Sequence, residues 1–481
     1  MPLQFGANTK WKTVELPANS EWRFEVGFEE KFVLKVVEGS SEMNGTDLPN
    51  DVDFTFSGIK SSLFSFTGCK FQYTGTLSSE YISDETFMNQ YLNLHFMLEK
   101  LRYQADLMNC KPPYLLIIGP QNSGKSTLSK ILCSYALKLN RQPLYVNLNP
   151  NEGIYSAPGT LVATEINDIL DVENGWGQSL TSGPSLVHSK QVIAKYYGFD
   201  SIRENLPFYR YEVTRLSKTV LSRLNSQNNK NSGIIVDTPP FSNKLKENSN
   251  NDEKTVDDVE IIEDIISDFE INLVLVVGNE RLFIDLKKKL ANKINPKNDL
   301  NSKSFFQILK INKNNGCVDK SDVFNRNLQQ KTIKEYFYGF PKSVLSPYTI
   351  TVSYSDLLIY RIKDSKTLKI ESQSFAELIP KLDDQGELLE TDDQENTKDH
   401  SDNTDFLIKI EVANSNVQNS ILAISHAELN DPLDIVLRSS IMGFVYISSA
   451  DDNRQQLRML LPSQGRLPKK PLILGGFRYT E

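Results

Sequence analysis

Leu115-Leu116-Ile117-Ile118-Gly119-Pro120-Gln121-Asn122-Ser123-Gly124-Lys125-Ser126-Thr127 is the run that decides the fold. Four apolar residues read as a short buried strand, and Gly119 ends it. From Leu128 the apolar positions Leu128, Ile131, Leu132, Tyr135, Ala136 and Leu139 recur at the spacing of an amphipathic helix. Between strand and helix stands G-x-x-x-x-G-K-S, a phosphate-binding loop in the setting that it requires. Gly119 and Gly124 permit the backbone conformations that turn successive N–H groups inward around phosphate oxygens. The start of the helix adds unpaired N–H donors and a partial positive charge. Lys125 is expected to reach the β- and γ-phosphates and the Ser126 hydroxyl to ligate Mg2+, with Gln121, Asn122, Ser123 and Thr127 completing the cradle.

The 481 residues suffice for two to four domains with sizeable cores. A net charge of −8 argues against a surface that coats nucleic acid generally, while leaving room for a local basic groove. Cys69, Cys110, Cys133 and Cys317 are widely spaced, without a C-x-x-C pair, as expected of reduced thiols in an intracellular protein. The four histidines, His95, His188, His400 and His426, are scattered and form no metal pattern. The N-terminus lacks the apolar core of a secretion signal, and no window approaches 18 uninterrupted apolar residues, so no membrane association is expected.

Around the central motif the chain divides in three. Residues 1–104 carry short, partly alternating apolar runs: Trp22–Val26, Phe32–Val37, Phe54–Phe56 and Phe64–Phe66. Gly, Asn and Pro clusters separate them, as in a small antiparallel sandwich or barrel. A helix over Phe87–Tyr103 leads into 105–335, where the strand candidates Leu115–Ile118, Leu144–Leu148, Ile234–Asp237, Leu273–Val277 and Phe305–Ile311 alternate with helices. That alternation predicts a mostly parallel sheet covered on both faces. Polar insertions at 225–232, 242–254 and 292–303 are expected loops. Residues 336–481 are again β-rich, with strand candidates Tyr348–Tyr354, Leu357–Ile362, Phe406–Val412, Ile435–Leu437, Met442–Ile447 and Leu457–Leu461. Ten of the 23 residues from Asp383 to Asp405 are acidic, the composition of a solvated loop.

Phosphoryl transfer needs more than a cradle: a carboxylate at a neighbouring strand end and cations for the transferring group. After Leu144-Tyr145-Val146 both candidate positions are amides, Asn147 and Asn149, and an amide is a poor proton acceptor. Asp237 ends the apolar run Ile234-Ile235-Val236. It has the form of a Walker-B acid that orients metal-bound water, and equally that of a strand-end capping aspartate. The Gly-, Ser- and Thr-rich run 174–183 suits a loop close to phosphates, with Trp176 as a packing anchor.

Together GPQNSGKSTL (119–128), WGQSLTSG (176–183), DTPP (237–240), EYFYGF (335–340) and GRLPKKPLIL (465–474) resemble one family. It is the kinase-like subunit of the eukaryotic pre-mRNA 3′-end cleavage machinery, a family of polynucleotide 5′-hydroxyl kinases whose fungal members sit in cleavage factor IA. EWRFEV (21–26), GTDL (45–48) and YLNLHFMLEKLR (91–102) extend the likeness over nearly the whole chain and toward the fungal branch. The resemblance implies an α/β P-loop NTPase domain with a parallel sheet, flanked by an N-terminal β-domain and a C-terminal β-rich mixed domain. It implies ATP with Mg2+ as ligands, and adenine contacts from Glu21 and Lys60, which would otherwise be read as solvated charges. It also implies a nuclear setting. The implied partners are other cleavage-factor subunits, chiefly the scaffold subunit that binds the RNA polymerase II tail, with RNA touched at most indirectly.

The resemblance implies as well that catalytic equipment has been altered. Active members carry Asp where Asn149 stands and a T-x-G-W clasp where Thr238-Pro239-Pro240-Phe241 stands. They carry lid arginines where this chain has Arg326-Asn327-Leu328-Gln329-Gln330-Lys331-Thr332-Ile333-Lys334. Lysine lacks the planar fork with which arginine grips phosphate. The expected function is an ATP-binding, catalytically idle scaffold. The alternatives are an active RNA 5′-hydroxyl kinase with Asp237 or Glu152 supplying the acid, and a switch-type nucleotidase.

Overall fold

Alternation along Trp22-Arg23-Phe24-Glu25-Val26 sends Trp22, Phe24 and Val26 to one face of a strand and the charged residues to the other. That strand is one of nine that open the computed structural model, which describes residues 11–173, 192–225, 230–241, 258–291, 305–340, 343–364, 406–410 and 415–480. The nine are β1 (Lys12–Leu16), β2 (Ser20–Val26), β3 (Phe32–Gly39), β4 (Glu42–Met43), β5 (Thr46–Asp47), β6 (Asp53–Phe56), β7 (Ile59–Ser65), β8 (Cys69–Gly75) and β9 (Ser79–Ser83). They form two sheets, ordered β1-β8-β3-β6 and β5-β4-β7-β2-β9. Trp22 stacks on Phe24 at 4.7 Å and meets Phe71 at 4.8 Å in the core between them. On the outer face of β2 and β7, Glu21 pairs in register with Phe64 and Glu25 with Lys60. Phe64 leaves the sandwich core and is buried with Met88, Tyr91, Leu94, Leu98, Leu128 and Leu132. Burial of one such ring contributes about 1.5–3 kcal/mol, so this face is glued to the middle of the molecule.

Helix α1 (Met88–Met108) runs five residues beyond the expected Tyr103 and stops at Asn109, whose φ of 50° is left-handed. The central unit follows: β10 (Tyr114–Ile118), α2 (Lys125–Lys138), β11 (Leu144–Asn147), β12 (Thr160–Glu165), β13 (Ile193–Tyr196), α3 (Leu206–Asn225), β14 (Ile234–Asp237), α4 (Asp258–Asp268), β15 (Leu273–Val277), α5 (Glu280–Lys289), β16 (Gln307–Ile311) and α6 (Asp322–Tyr338). The sheet runs β13-β12-β11-β14-β10-β15-β16. From β11 to β16 all neighbours are parallel, and β12 and β13 add an antiparallel margin. The five expected strands are present. The two marginal ones were not foreseen, because every side chain of β12 and β13 is buried and the period-two signal is lost.

The last unit comprises β17 (Gly339–Phe340), β18 (Ser343–Val344), β19 (Tyr348–Ser353), β20 (Ile359–Ile362), β21 (Leu407–Ile410), β22 (Ser420–Ser425), α7 (Leu433–Arg438), β23 (Ile441–Asp451), β24 (Gln456–Leu461) and β25 (Leu472–Arg478). Its main sheet is ordered β19-β24-β23-β22-β25-β20-β21. The expected strand at Ile435–Leu437 is wrong: these residues lie in α7. Pro432 starts a helical turn there, its carbonyl accepting from Ile435 and Val436. A three-residue apolar run has no period by which helix and strand could be told apart.

The run 174–183 and the segments 242–254, 292–303 and 383–405 lie outside the described residues; of the insertion at 225–232, Asn225 ends α3, residues 230–232 form a single helical turn, and 226–229 lie outside the described residues. No helix among the described residues is long and apolar enough to cross a membrane.

Candidate functional site

The loop from Gly119 to Lys125 joins β10 to α2 between the parallel neighbours β14 and β15. Gly119 passes so close to β15 that a Cβ there would stand 2.5 Å from the Val277 carbonyl oxygen. Gly124 has φ +90° and Asn122 φ +56°, left-handed turns that curl the loop into a concave row of N–H groups. Ser123 donates to the Pro120 carbonyl at 2.8 Å, while Gln121 and Thr127 are exposed at the mouth. Lys125 is buried, and its ammonium donates to the same Pro120 carbonyl at 2.8 Å. Burial holds that ammonium below its ordinary pKa, against the pull of Asp237 and Glu152. A buried cation whose hydrogen bond goes to a neutral carbonyl is suited to an incoming anion.

Beneath Lys125 lies Asp237, wholly buried at the end of β14 and level with Ile117 and Asn147 on the flanking strands. Burial pushes its carboxyl up to about 7, with the Glu152 carboxylate adding to the rise and Lys125 and the Ser126 hydroxyl opposing it. Its Oδ2 faces the Tyr145 hydroxyl at 3.5 Å, and its Oδ1 has no hydrogen-bond partner. An orphaned buried carboxylate oxygen beside a hydroxyl is the oxygen-donor set that a hard divalent cation requires, so Ser126 and Asp237 could hold one.

Asn147 and Asn149, the amides at the end of β11 where a carboxylate was expected, are engaged with the backbone. Asn147 Oδ1 accepts from Asn149 N at 2.9 Å and its Nδ2 donates to the Glu152 carbonyl at 3.3 Å. Asn149 Oδ1 accepts from Asn151 N at 3.3 Å. These side-chain turns fix the loop that brings Glu152 toward Asp237.

At the other end of the cradle, Glu21 is buried and both its oxygens are engaged. Arg23 Nε donates to Oε2 at 2.9 Å, and Thr86 donates to Oε1. Lys60 sits four register positions away on the same face, paired with Glu25 at 3.0 Å and 5.3 Å from the centre of the Phe324 ring. Glu21 and Lys60 therefore share a face turned to the central unit, while Lys60 stands nearer the lid helix α6 than the phosphate loop.

The clasp positions and much of the lid segment are engaged within the protein, while Arg326 and Lys334 on α6 are exposed. Phe241 is wholly buried in the central core and donates its N–H to the Gly119 carbonyl, and Thr238 donates to the Ile117 carbonyl at 2.8 Å. On α6, Lys331 donates to the Ser57 carbonyl at 2.8 Å, Gln329 to the Asn151 carbonyl at 3.2 Å and Gln330 to the Arg478 carbonyl at 3.0 Å. Sequence reasoning missed Arg23, Asn314, Cys317 and Phe324. Each is ordinary in sequence and acquires meaning only when β2, α6 and the loop after β16 meet.

Comparison with known proteins agrees in every part of the chain. Residues 15–105 match the N-terminal beta-sandwich domain of polyadenylation factor, 119–339 the mRNA cleavage and polyadenylation factor CLP1 P-loop, and 345–481 the pre-mRNA cleavage complex II protein Clp1. A relative from Debaryomyces hansenii, mRNA cleavage and polyadenylation factor CLP1, is 38% identical over 98% of this chain and 96% of its own. One of the same name from Candida albicans is 36% identical over 98% and 96%. The solved complex of Clp1p with Pcf11p residues 454–563 superimposes with a TM-score of 0.79 at 32% identity, covering 98% of this chain and 99% of that one. A second structure, concerned with the extended Pcf11p–Clp1p interface and ATP loss in a glycine-to-arginine mutant, gives the same TM-score and identity over 99% and 100%.

Proposed function

Since the chain belongs to the Clp1 family of mRNA cleavage and polyadenylation factors, we propose that it is a nucleotide-holding, catalytically idle subunit of the 3′-end cleavage machinery. ATP would lie with its phosphates over Lys125 and Ser126 and its base toward Glu21 and Lys60, tying the units 1–104 and 105–335 together. Mg2+ held by Ser126 and Asp237 would neutralise phosphate charge. A partner corresponding to the Pcf11p of the solved neighbour would dock on the surface so fixed, in the nucleus, with RNA reached through partners. The observation that carries the reading is a contrast of ends. The cradle keeps a buried lysine and an orphaned carboxylate oxygen, whereas the transfer end offers a braced amide at Asn149 and a lid helix with Arg326 as its single arginine and Gln329 and Lys331 tied to backbone.

Loss of a phosphoryl-stabilising arginine costs about 10³–10⁵ in rate, and loss of a general base about 10²–10⁴. A bound ligand stabilises the fold by about 4 kcal/mol at a thousandfold excess over Kd. Lys125→Ala should therefore lower the melting temperature of purified protein and weaken capture of the Pcf11p-like partner. Full partner affinity in nucleotide-free Lys125→Ala protein contradicts the proposal. The proximity of Glu152 and Asp237 favours one rival, a working RNA 5′-hydroxyl kinase. Transfer of labelled phosphate from ATP to a 5′-hydroxyl oligonucleotide, abolished by Asp237→Asn, would establish it.

A further inference from the structure

The loop between β16 and α6, residues 312–321, is fastened to the N-terminal sandwich by a continuous polar chain. Arg23 donates from Nε to Glu21 and from Nη2 to the Glu85 carbonyl at 2.6 Å and to Asn314 Oδ1 at 3.2 Å. Asn314 Oδ1 also accepts from Gly316 N at 2.8 Å, the Asn314 side chain bonds the Tyr91 hydroxyl, and Asn315 Nδ2 donates to Glu85 Oε2 at 2.7 Å. The guanidinium lies so close to the loop that a Cβ on Gly316 would stand 2.5 Å from Arg23 Nε. The next residue, Cys317, is turned toward the phosphate cradle: a Cβ on Gly124 would stand 2.9 Å from its Sγ. The residue is partly exposed and forms no disulfide among the described residues.

We propose that Arg23 and Asn314 are positioning residues that hold this loop across the sugar-and-base end of the cradle, and that Cys317 borders the bound nucleotide. This rests on the nucleotide-holding reading. It adds the path by which the sandwich senses the ligand. A purine nucleotide seated on Gly124 meets Cys317, and the loop is kept there by Asn314, itself held by Arg23 and Glu21. Glu21 then acts on the base end through Arg23, in addition to any contact of its own.

Three proteins test this: the full chain, Asn314→Ala, and Asn314→Asp, which keeps the acceptor oxygen for Arg23 and Gly316. Each is stripped of ligand, then titrated with MgATP while melting temperature and the rate of Cys317 alkylation by N-ethylmaleimide are followed by mass spectrometry. Asn314→Ala keeps the buried Arg23–Glu21 pair but removes the acceptor for Arg23 Nη2 and Gly316 N, so its ligand-free melting temperature should fall only slightly while its ATP-induced shift is largely lost. Its ATP affinity should fall about tenfold to a hundredfold, the loss expected for hydrogen bonds to a charged group, and Asn314→Asp should recover most of it. MgATP should slow Cys317 alkylation in the full chain at least tenfold and do so weakly in Asn314→Ala. The proposal is overturned if Asn314→Ala binds ATP like the full chain, if it loses ligand-free stability while keeping the ATP-induced shift, or if ATP leaves Cys317 equally reactive. Failure of the unsubstituted chain to bind MgATP at all would instead remove the underlying reading, and this inference with it.

Discussion

A single amide carries much of the account at the residue scale. Asn149 stands where the resemblance implies an acid in active members, and its Oδ1 braces Asn151 N, a bond that aspartate could also accept. Asn149→Asp is therefore expected to fold normally and still show no measurable phosphate transfer to an RNA 5′-hydroxyl, because Arg326 is still the single arginine of the lid segment. Turnover appearing in that variant would show that the acid alone was missing. Farther away, Glu212 on α3 tests how burial sets protonation. Lys195 of β13 and Arg215 of its own helix face it, yet burial lifts its carboxyl up to about 7, and its Oε2 has no hydrogen-bond partner. The folded state thus keeps a proton that the unfolded chain releases near the ordinary carboxyl value, so stability falls as pH rises from about 4.5 to about 7 and levels off above. Glu212→Gln should remove that decline, on the order of 3 kcal/mol, in urea unfolding followed across the same pH window. An unchanged pH profile would contradict it.

Helix α6 is the element on which the three units converge. Phe324 at its start meets Phe28 of the sandwich at 5.1 Å, Gln329 reaches the loop after β11, and the Tyr336 hydroxyl accepts from Phe444 N of the last sheet at 2.8 Å. A helix so attached acts as a strut. Its amides should exchange slowly and at rates little changed by an RNA 5′-hydroxyl end; exchange slowed sharply on adding such an end would mark a mobile lid. The sequence of this segment showed a single arginine but not the strut, since Gln329, Gln330 and Lys331 bond backbone carbonyls of segments 178, 148 and 274 residues away. The parallel strands and the cradle were legible because local spacing encodes them. β12, β13 and α7 were not, because complete burial or brevity erases periodicity. Asp237 stood open between two roles, and its orphaned oxygen beside Ser126 favours the one that needs a metal.

Over the whole molecule, a nucleotide gripped by the cradle and the sandwich would convert two packed units into one rigid platform, with stability rising by mass action rather than by new protein contacts. Phe64 and the Arg23–Asn314 chain already join the units without ligand, so bound ATP would complete an existing interface. The most direct test is to denature freshly purified protein and identify what it releases, before and after hours with Mg2+ and an RNA bearing a 5′-hydroxyl. The account predicts about one ATP per chain both times, with the RNA unphosphorylated. Recovery of ADP with phosphorylated RNA, or of no nucleotide at all, would contradict it.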